Sequence, residues 1–301
     1  MSDKTAYVNA RLLDPASRLD DNGALLSEGE TIADFGPQLF KDGAPEGCAV
    51  IDCGGAILCP GLVDIRVQVR EPGEEHKGTL ASAGQAAAAG GITSLVCLPN
   101  TNPVIDTMSV VEFVARRARK LGLAKVYAYG AVTKGLEGRE LAEMGMLAEA
   151  GALAFTDGIA AVGDAQVMRR ALSYAGTFGL LIVQHPEEKS LTEGGDMNAG
   201  ETATRLGLSG IPPEAEVIMV ERDLRLVEMT GGRLHFAHIS TAQAVAAIAQ
   251  AKAGGLAVTC DTAPPYFALN ETAIGDYRTF AKLSPPLRSE DDRRAVVAGL
   301  A

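Results

Sequence analysis

No stretch of this 301-residue chain approaches the ~18 consecutive apolar residues that a membrane span requires. The first residues, Met1-Ser2-Asp3-Lys4-Thr5, lack a basic region followed by an apolar run, so no export signal is read there. Cysteine is scarce and odd in number: Cys48, Cys53, Cys59, Cys97 and Cys260 form no CxxC pair, and a zinc knuckle is not expected. Four of them (Cys53, Cys59, Cys97 and Cys260) sit in apolar, strand-like surroundings, where buried free thiols are expected. A reducing cytoplasm suits such thiols. Positive charge is in deficit as well. Lys and Arg number 27 against 38 Asp and Glu, a net charge of −11 that repels phosphate backbones and anionic lipid. Neither nucleic acid nor a membrane surface is therefore an expected partner. Low-complexity tracts are missing, and so are a GxGxxG after the first strand and a GxxxxGK[ST] loop, which removes the usual signs of dinucleotide and P-loop nucleotide binding.

What is present is core-forming material: 47% of the residues are hydrophobic, which excludes a disordered chain. Residues 1–57 carry short β-like pieces, Thr5–Leu13, Gly23–Glu28 and Thr31–Phe35, separated by turn-forming Asp, Asn, Gly and Pro. Residues 58–301 have another rhythm. Strand-like runs at Ile57–Val69, Thr93–Pro99, Lys125–Val132, Leu153–Thr156, Leu180–Gln184, Arg233–Ile239 and Leu256–Cys260 alternate with helical stretches. Those helices are expected near Thr79–Ala89, Ser109–Leu121, Arg139–Ala150, Ala165–Thr177, Pro213–Thr230 and Thr241–Ala253, with a last one around Asp291–Leu300. Gly-Gly pairs at 90–91, 231–232 and 254–255 close three helices just before strands. Consecutive βα units of this kind predict an α/β fold, a (β/α)8 TIM barrel with seven units visible and the eighth missing. The chain is thus expected to be part of a longer polypeptide.

In such a barrel, functional side chains stand at the C-terminal ends of the strands. Strand one ends in Asp64-Ile65-Arg66-Val67-Gln68-Val69-Arg70, and alternation puts Asp64, Arg66, Gln68 and Arg70 on one face. That row is either an internal salt-bridge network or a site for an anionic substrate, with Arg70 as carboxylate clamp. Asn100, after strand two, either caps its loop or touches substrate. Asp157, His185 and His238 end three further strands; they are hydrogen-bonded structural residues or three ligands of one zinc ion, whose fourth position would hold water. His235 and His76 lack this context.

Together these segments resemble the dihydroorotase family of the amidohydrolase superfamily, in its longer bacterial form related to allantoinases. The resemblance is carried by PGLVD…REPG at 60–73, GGITSLVCLPNTNPVID at 90–106, GLSGIPPEAE at 207–216, GGRLHFAHIST at 231–241 and KLSPPLR at 282–288. It implies a TIM barrel with a small β-sandwich built from both chain ends, to which residues 1–57 contribute. It also implies reversible cyclisation of carbamoyl-aspartate to dihydroorotate with one or two zinc ions. Arg70 and Asn100 match the family's contacts to the substrate carboxylate, His185 and His238 its second-metal histidines, and Asp157 its bridging Asp. The family's strand-one HxH, however, is Arg66-Val67-Gln68 here. An arginine has no lone pair and repels a cation, and Gln68 is a weak neutral ligand. At most one zinc ion is expected, or none. After strand seven, where the family usually has a pair of histidines following the Pro, the chain reads Pro264-Pro265-Tyr266, and Ser284 replaces an expected Asn. The general-base Asp that the resemblance places on strand eight lies beyond Ala301, so no catalytic residue is assignable.

Two function classes follow from these expectations. One is a catalytically degenerate dihydroorotase homologue of pyrimidine biosynthesis, in which Arg66 neutralises carboxylates such as Asp64 or Asp157. For it the resemblance implies aspartate transcarbamoylase as a structural partner and a homo-oligomeric state. The other is a working one-zinc cyclic amide hydrolase using Asp157, His185 and His238. A plain binder of small carboxylates such as dihydroorotate or carbamoyl-aspartate, through Arg70 and Asn100, is a third and weaker reading.

Overall fold

The computed structural model describes residues 4–41 and 43–300. It divides into two compact units, Met1–Leu62 and Val63–Ala301. The first unit is one five-stranded sheet: β1 (Lys4–Asp14), β2 (Leu19–Glu28), β3 (Thr31–Gly36), β4 (Ala49–Asp52) and β5 (Ile57–Leu58). Its order is β3-β2-β1-β4, with β5 also paired to β1. β1–β3 form antiparallel hairpins, whereas β4 and β5 run parallel to β1.

The second unit is built on seven parallel strands: β6 (Leu62–Val67), β7 (Ile92–Cys97), β8 (Lys125–Gly130), β9 (Ala152–Phe155), β10 (Leu181–Gln184), β13 (Arg233–Phe236) and β14 (Val258–Cys260). They lie in the order β14-β13-β10-β9-β8-β7-β6, so β6 and β14 are the sheet edges. A small parallel pair, β11 (Met197–Asn198) with β12 (Gly210–Ile211), sits in the connection after β10. The helices are α1 (Leu80–Ala89), α2 (Met108–Leu121), α3 (Met144–Glu149), α4 (Ala165–Thr177), α5 (Lys189–Thr192), α6 (Glu201–Leu206), α7 (Glu214–Thr230), α8 (Ala242–Ala253), α9 (Pro264–Ala268) and α10 (Glu290–Leu300).

Local chemistry explains most boundaries. Asp164 accepts from the Gln166 and Val167 amides to start α4, Thr241 does the same for Ala244 in α8, and Thr79 with Ser82 forms a reciprocal cap on α1. In each glycine pair one member takes the left-handed conformation, Gly91 at φ 75°, Gly231 at 67° and Gly255 at 88°. A side chain there would strain the turn back into the next strand. Alternation along the strands then sorts the core. Leu95, Cys97 and Phe236 pack under the helices, whereas Val96, Leu98 and Ala237 form a separate buried cluster on the strands' other face.

Three local expectations are corrected. The continuous strand Ile57–Val69 is interrupted at 59–61, where Pro60 can donate no ladder hydrogen bond. The helix expected at Arg139–Ala150 begins only at Met144, because residues 140–142 pair with the loop after β8: the Lys134 amide donates to the Glu140 carbonyl (2.8 Å) and the Ala142 amide to the Val132 carbonyl (2.9 Å). Of the four thiols expected inside, only Cys97 is buried; Cys59 and Cys260 are exposed and Cys53 half-buried. Burial pushes the Cys97 thiol up to about 12, so it is inert at neutral pH.

Candidate functional site at the strand ends

β6 supplies Arg66. Its Nη2 donates to the Gly158 carbonyl, just beyond β9, at 2.9 Å, while its Nη1 is sealed from solvent with no hydrogen-bond partner. Burial lowers the affinity of this guanidinium for its proton, and the charges of Asp261, Tyr129 and Tyr266 work the other way. Asp64 caps the neighbouring backbone instead, its Oδ1 accepting from the Arg66 amide at 3.0 Å. Gly158 also adjoins Asn100: a Cβ placed on it would lie 3.6 Å from the Asn100 Cβ. Arg66 and Asn100 therefore converge on one peptide.

The two strand-end histidines meet here too. Their rings stand 6.3 Å apart, edge to face, and the ring of His238 lies 6.2 Å from that of Tyr266. His185 Nε2 is 3.0 Å from Glu187 Oε2 and 3.4 Å from Ser284 Oγ, and its Nδ1 is buried without a partner. His238 Nδ1 is likewise unpartnered. Burial first, then the charge of Arg66, lowers its pKa to about 4, which keeps the imidazole neutral at pH 7. His238 also has a left-handed backbone, φ 57°, an unfavourable conformation for a side chain of this size. Its amide is pinned by Asp261 Oδ1 at 2.8 Å. The other oxygen of Asp261 pairs with His235 Nε2 at 2.9 Å, and His235 Nδ1 meets Thr259 Oγ1 at 2.8 Å.

Sequence reasoning passed over His235 and Asp261. The signal was available in strand parity, since His235 stands two residues before Ala237, which belongs to the buried cluster on the face opposite the helices.

Asp157 behaves differently from the expectation of a metal ligand. It is buried, and Oδ1 accepts from the Val132 amide at 3.0 Å and the Thr133 amide at 2.9 Å, while the Thr133 hydroxyl donates to Oδ2. Burial raises its pKa, and those three donors limit the rise. Three of its roughly four acceptor sites are taken by the loop after β8. Gln68 and Arg70 also depart from the expected row. β6 ends at Val67, Gln68 is exposed, and Arg70 turns to φ 72° and pairs with Glu74 at 3.0 Å. The proposed clamp thus carries its own counter-ion, in a half-exposed pair.

Gln184, the last residue of β10, is held by the Val162 amide (3.1 Å to Oε1) and by the buried carboxylate of Asp223 (3.0 Å from Nε2). Burial raises Asp223 from its ordinary value to about 6, with Arg222 and Gln184 acting against the shift. A carboxyl whose folded pKa exceeds its unfolded one binds more protons in the folded state, so its contribution to stability falls as pH rises from about 4 through 6. Removing that titration with Asp223→Asn is expected to improve stability relative to the parent by about 1 kcal/mol between pH 5 and pH 7. Urea unfolding of both proteins at the two pH values checks this; a difference independent of pH refutes it.

For a divalent cation the donor set does not fit. Among the described residues no three His, Cys, Asp or Glu side chains are arranged to hold a metal ion. Two imidazole nitrogens are free, but the oxygens of Asp157 are engaged and a guanidinium stands near His238, where it opposes any second positive charge.

L-Hydantoinase from Arthrobacter aurescens superposes with a TM-score of 0.81 at 23% sequence identity, covering 98% of this chain and 66% of that one. D-Hydantoinase from Thermus sp. gives 0.71 at 22%, with the same coverage. At these identities the likeness is one of fold: a TIM barrel, seven of whose strands lie in the described residues. The family profile described as dihydro-orotase-like matches residues 55–244. The dihydroorotase of Syntrophotalea carbinolica is 47% identical over 298 residues, 99% of this chain and 69% of that protein. That of Anaplasma phagocytophilum is 45% identical over 301 residues, 98% and 66%. This chain belongs to the dihydroorotase-like family, and it spans about two thirds of the length of the relatives it matches. No helix among the described residues is long and apolar enough to cross a membrane.

Proposed function

We propose that this chain serves pyrimidine biosynthesis as a dihydroorotase-like barrel that binds a carboxylate-bearing ureide without hydrolysing it. The observation that carries the reading is Arg66, a half-buried guanidinium with an enclosed Nη1, where the family's HxH would bind its first metal. Opening a cyclic amide at neutral pH calls for an activated water, and zinc supplies one by lowering the pKa of bound water to about 7. Arg66 can polarise an oxygen, but it has no lone pair with which to hold that ion. Arg70 and Asn100 are the residues we assign to the ligand's carboxylate, with dihydroorotate or carbamoyl-aspartate as the ligand class. A cytoplasmic setting, self-association and aspartate transcarbamoylase as structural partner belong to this reading through the family resemblance.

Turnover tests it. With zinc added, the purified protein is expected to interconvert carbamoyl-aspartate and dihydroorotate no faster than buffer. A kcat of about 1 s−1 or more, within the ordinary range for enzymes, overturns the reading and favours a one-metal hydrolase built on His185 and His238.

A further inference from the structure

The buried side-chain nitrogens left without a partner among the described residues are three: Arg66 Nη1, His185 Nδ1 and His238 Nδ1. All belong to the strand-end cluster. His185 is 3% exposed, its ring is 6.3 Å from that of His238, and the charge of Arg66 acts directly on His238. Buried polar groups are almost always hydrogen-bonded. Of these three only Arg66 Nη1 is a donor in every protonation state, since a neutral imidazole carries a single N–H and His185 directs its Nε2 at the Glu187 carboxylate, so Arg66 Nη1 is the atom that lacks an acceptor. The nearby carboxylates do not supply one. Asp261 gives its oxygens to His235 and the His238 amide, Asp157 gives its own to Val132 and Thr133, and Asp64 Oδ1 takes the Arg66 amide. Arg66 is thus a half-buried cation without a carboxylate on its enclosed Nη1, and a guanidinium is shaped to receive one.

We propose that Arg66, flanked by His185 and His238, is a carboxylate-binding site, so that the chain prefers an open ureide bearing two carboxylates to a closed ring bearing one. This rests on the non-catalytic reading given above. One carboxylate would lie at Arg70 and Asn100 and the second at Arg66. Asn100 and Arg66 both border Gly158, which brings those two side chains to one glycine. Carbamoyl-aspartate has both carboxylates free; in dihydroorotate the second is locked in the ring amide and carries no charge. The strand-one end, a cation site by family pattern, becomes an anion site by substitution.

Isothermal titration of the purified protein, in buffer free of carboxylate and phosphate, reads the preference. Carbamoyl-aspartate is expected to bind at least about tenfold more tightly than dihydroorotate, or ~1.4 kcal/mol. Arg66→Met is expected to bring the two affinities within about twofold while leaving dihydroorotate binding within about threefold of the parent. Should Arg66→Met fail to fold, Arg66→Gln, neutral but polar, serves the same comparison. Equal affinities in the parent, or a preference that survives loss of the guanidinium, overturns the proposal. Zinc in the titrated protein would count against the non-catalytic reading itself. A metal-free protein that binds both ligands alike defeats only the carboxylate site.

Discussion

Glu216→Ala is expected to cost about 4 kcal/mol or more, enough to leave much of the protein unfolded given ordinary domain stabilities of about 5–15 kcal/mol. Glu216 lies in the first turn of α7, 2% exposed, and its carboxylate gathers the segment that follows His238. The Ser240 amide reaches both oxygens at 3.1 Å, the Thr241 amide reaches Oε1 at 2.9 Å, and both hydroxyls donate to the same group. Arg288 adds its charge and bonds Ser240 Oγ at 3.1 Å. Truncation leaves two fixed amides unsatisfied in a dry interior and removes the counter-charge of a buried arginine. Glu216→Gln keeps one acceptor oxygen and is expected to lose about half as much. Urea denaturation orders the three proteins; a loss below about 1 kcal/mol for Glu216→Ala would show that this carboxylate does not hold the His238 turn.

Asp157→Ala is the second large effect, about 3–4 kcal/mol, because the Val132 and Thr133 amides lose their acceptor together. The loss is expected to be the same with zinc or with a chelator present. A metal ligand behaves otherwise: its removal costs little without metal and much with it, since bound metal stabilises only the state that binds it. Destabilisation that appears only in zinc-containing buffer would return Asp157 to the role the sequence suggested. Asp157 is therefore the residue on which the structural and metal-ligand readings separate most cleanly by stability alone.

Much of the fold was legible because parallel barrel strands and their helices write strong periodic patterns. Six of the seven strands and most of the long helices overlap the segments those patterns mark, α4 at the same residues, Ala165–Thr177, whereas the first strand is split at 59–61 and α3 starts late. The strand-end rule also brought His185, His238, Arg66 and Asn100 to one place. What remained hidden were the bonds between distant loops. Nothing in Thr156-Asp157-Gly158 announces that amides 25 and 24 residues upstream will claim its oxygens. The Arg70–Glu74 pair depends on a backbone turn at φ 72° that residue type does not foretell.

The central claim is that Arg66 has taken the place of a metal. Elemental analysis tests it most directly, on protein grown in zinc-supplemented medium and freed of loose ions by gel filtration. Less than about a tenth of an equivalent of zinc per chain is expected, because a closed or catalytic zinc site needs three or four donors and this cluster offers two imidazoles beside a guanidinium. A stoichiometry near one would contradict it.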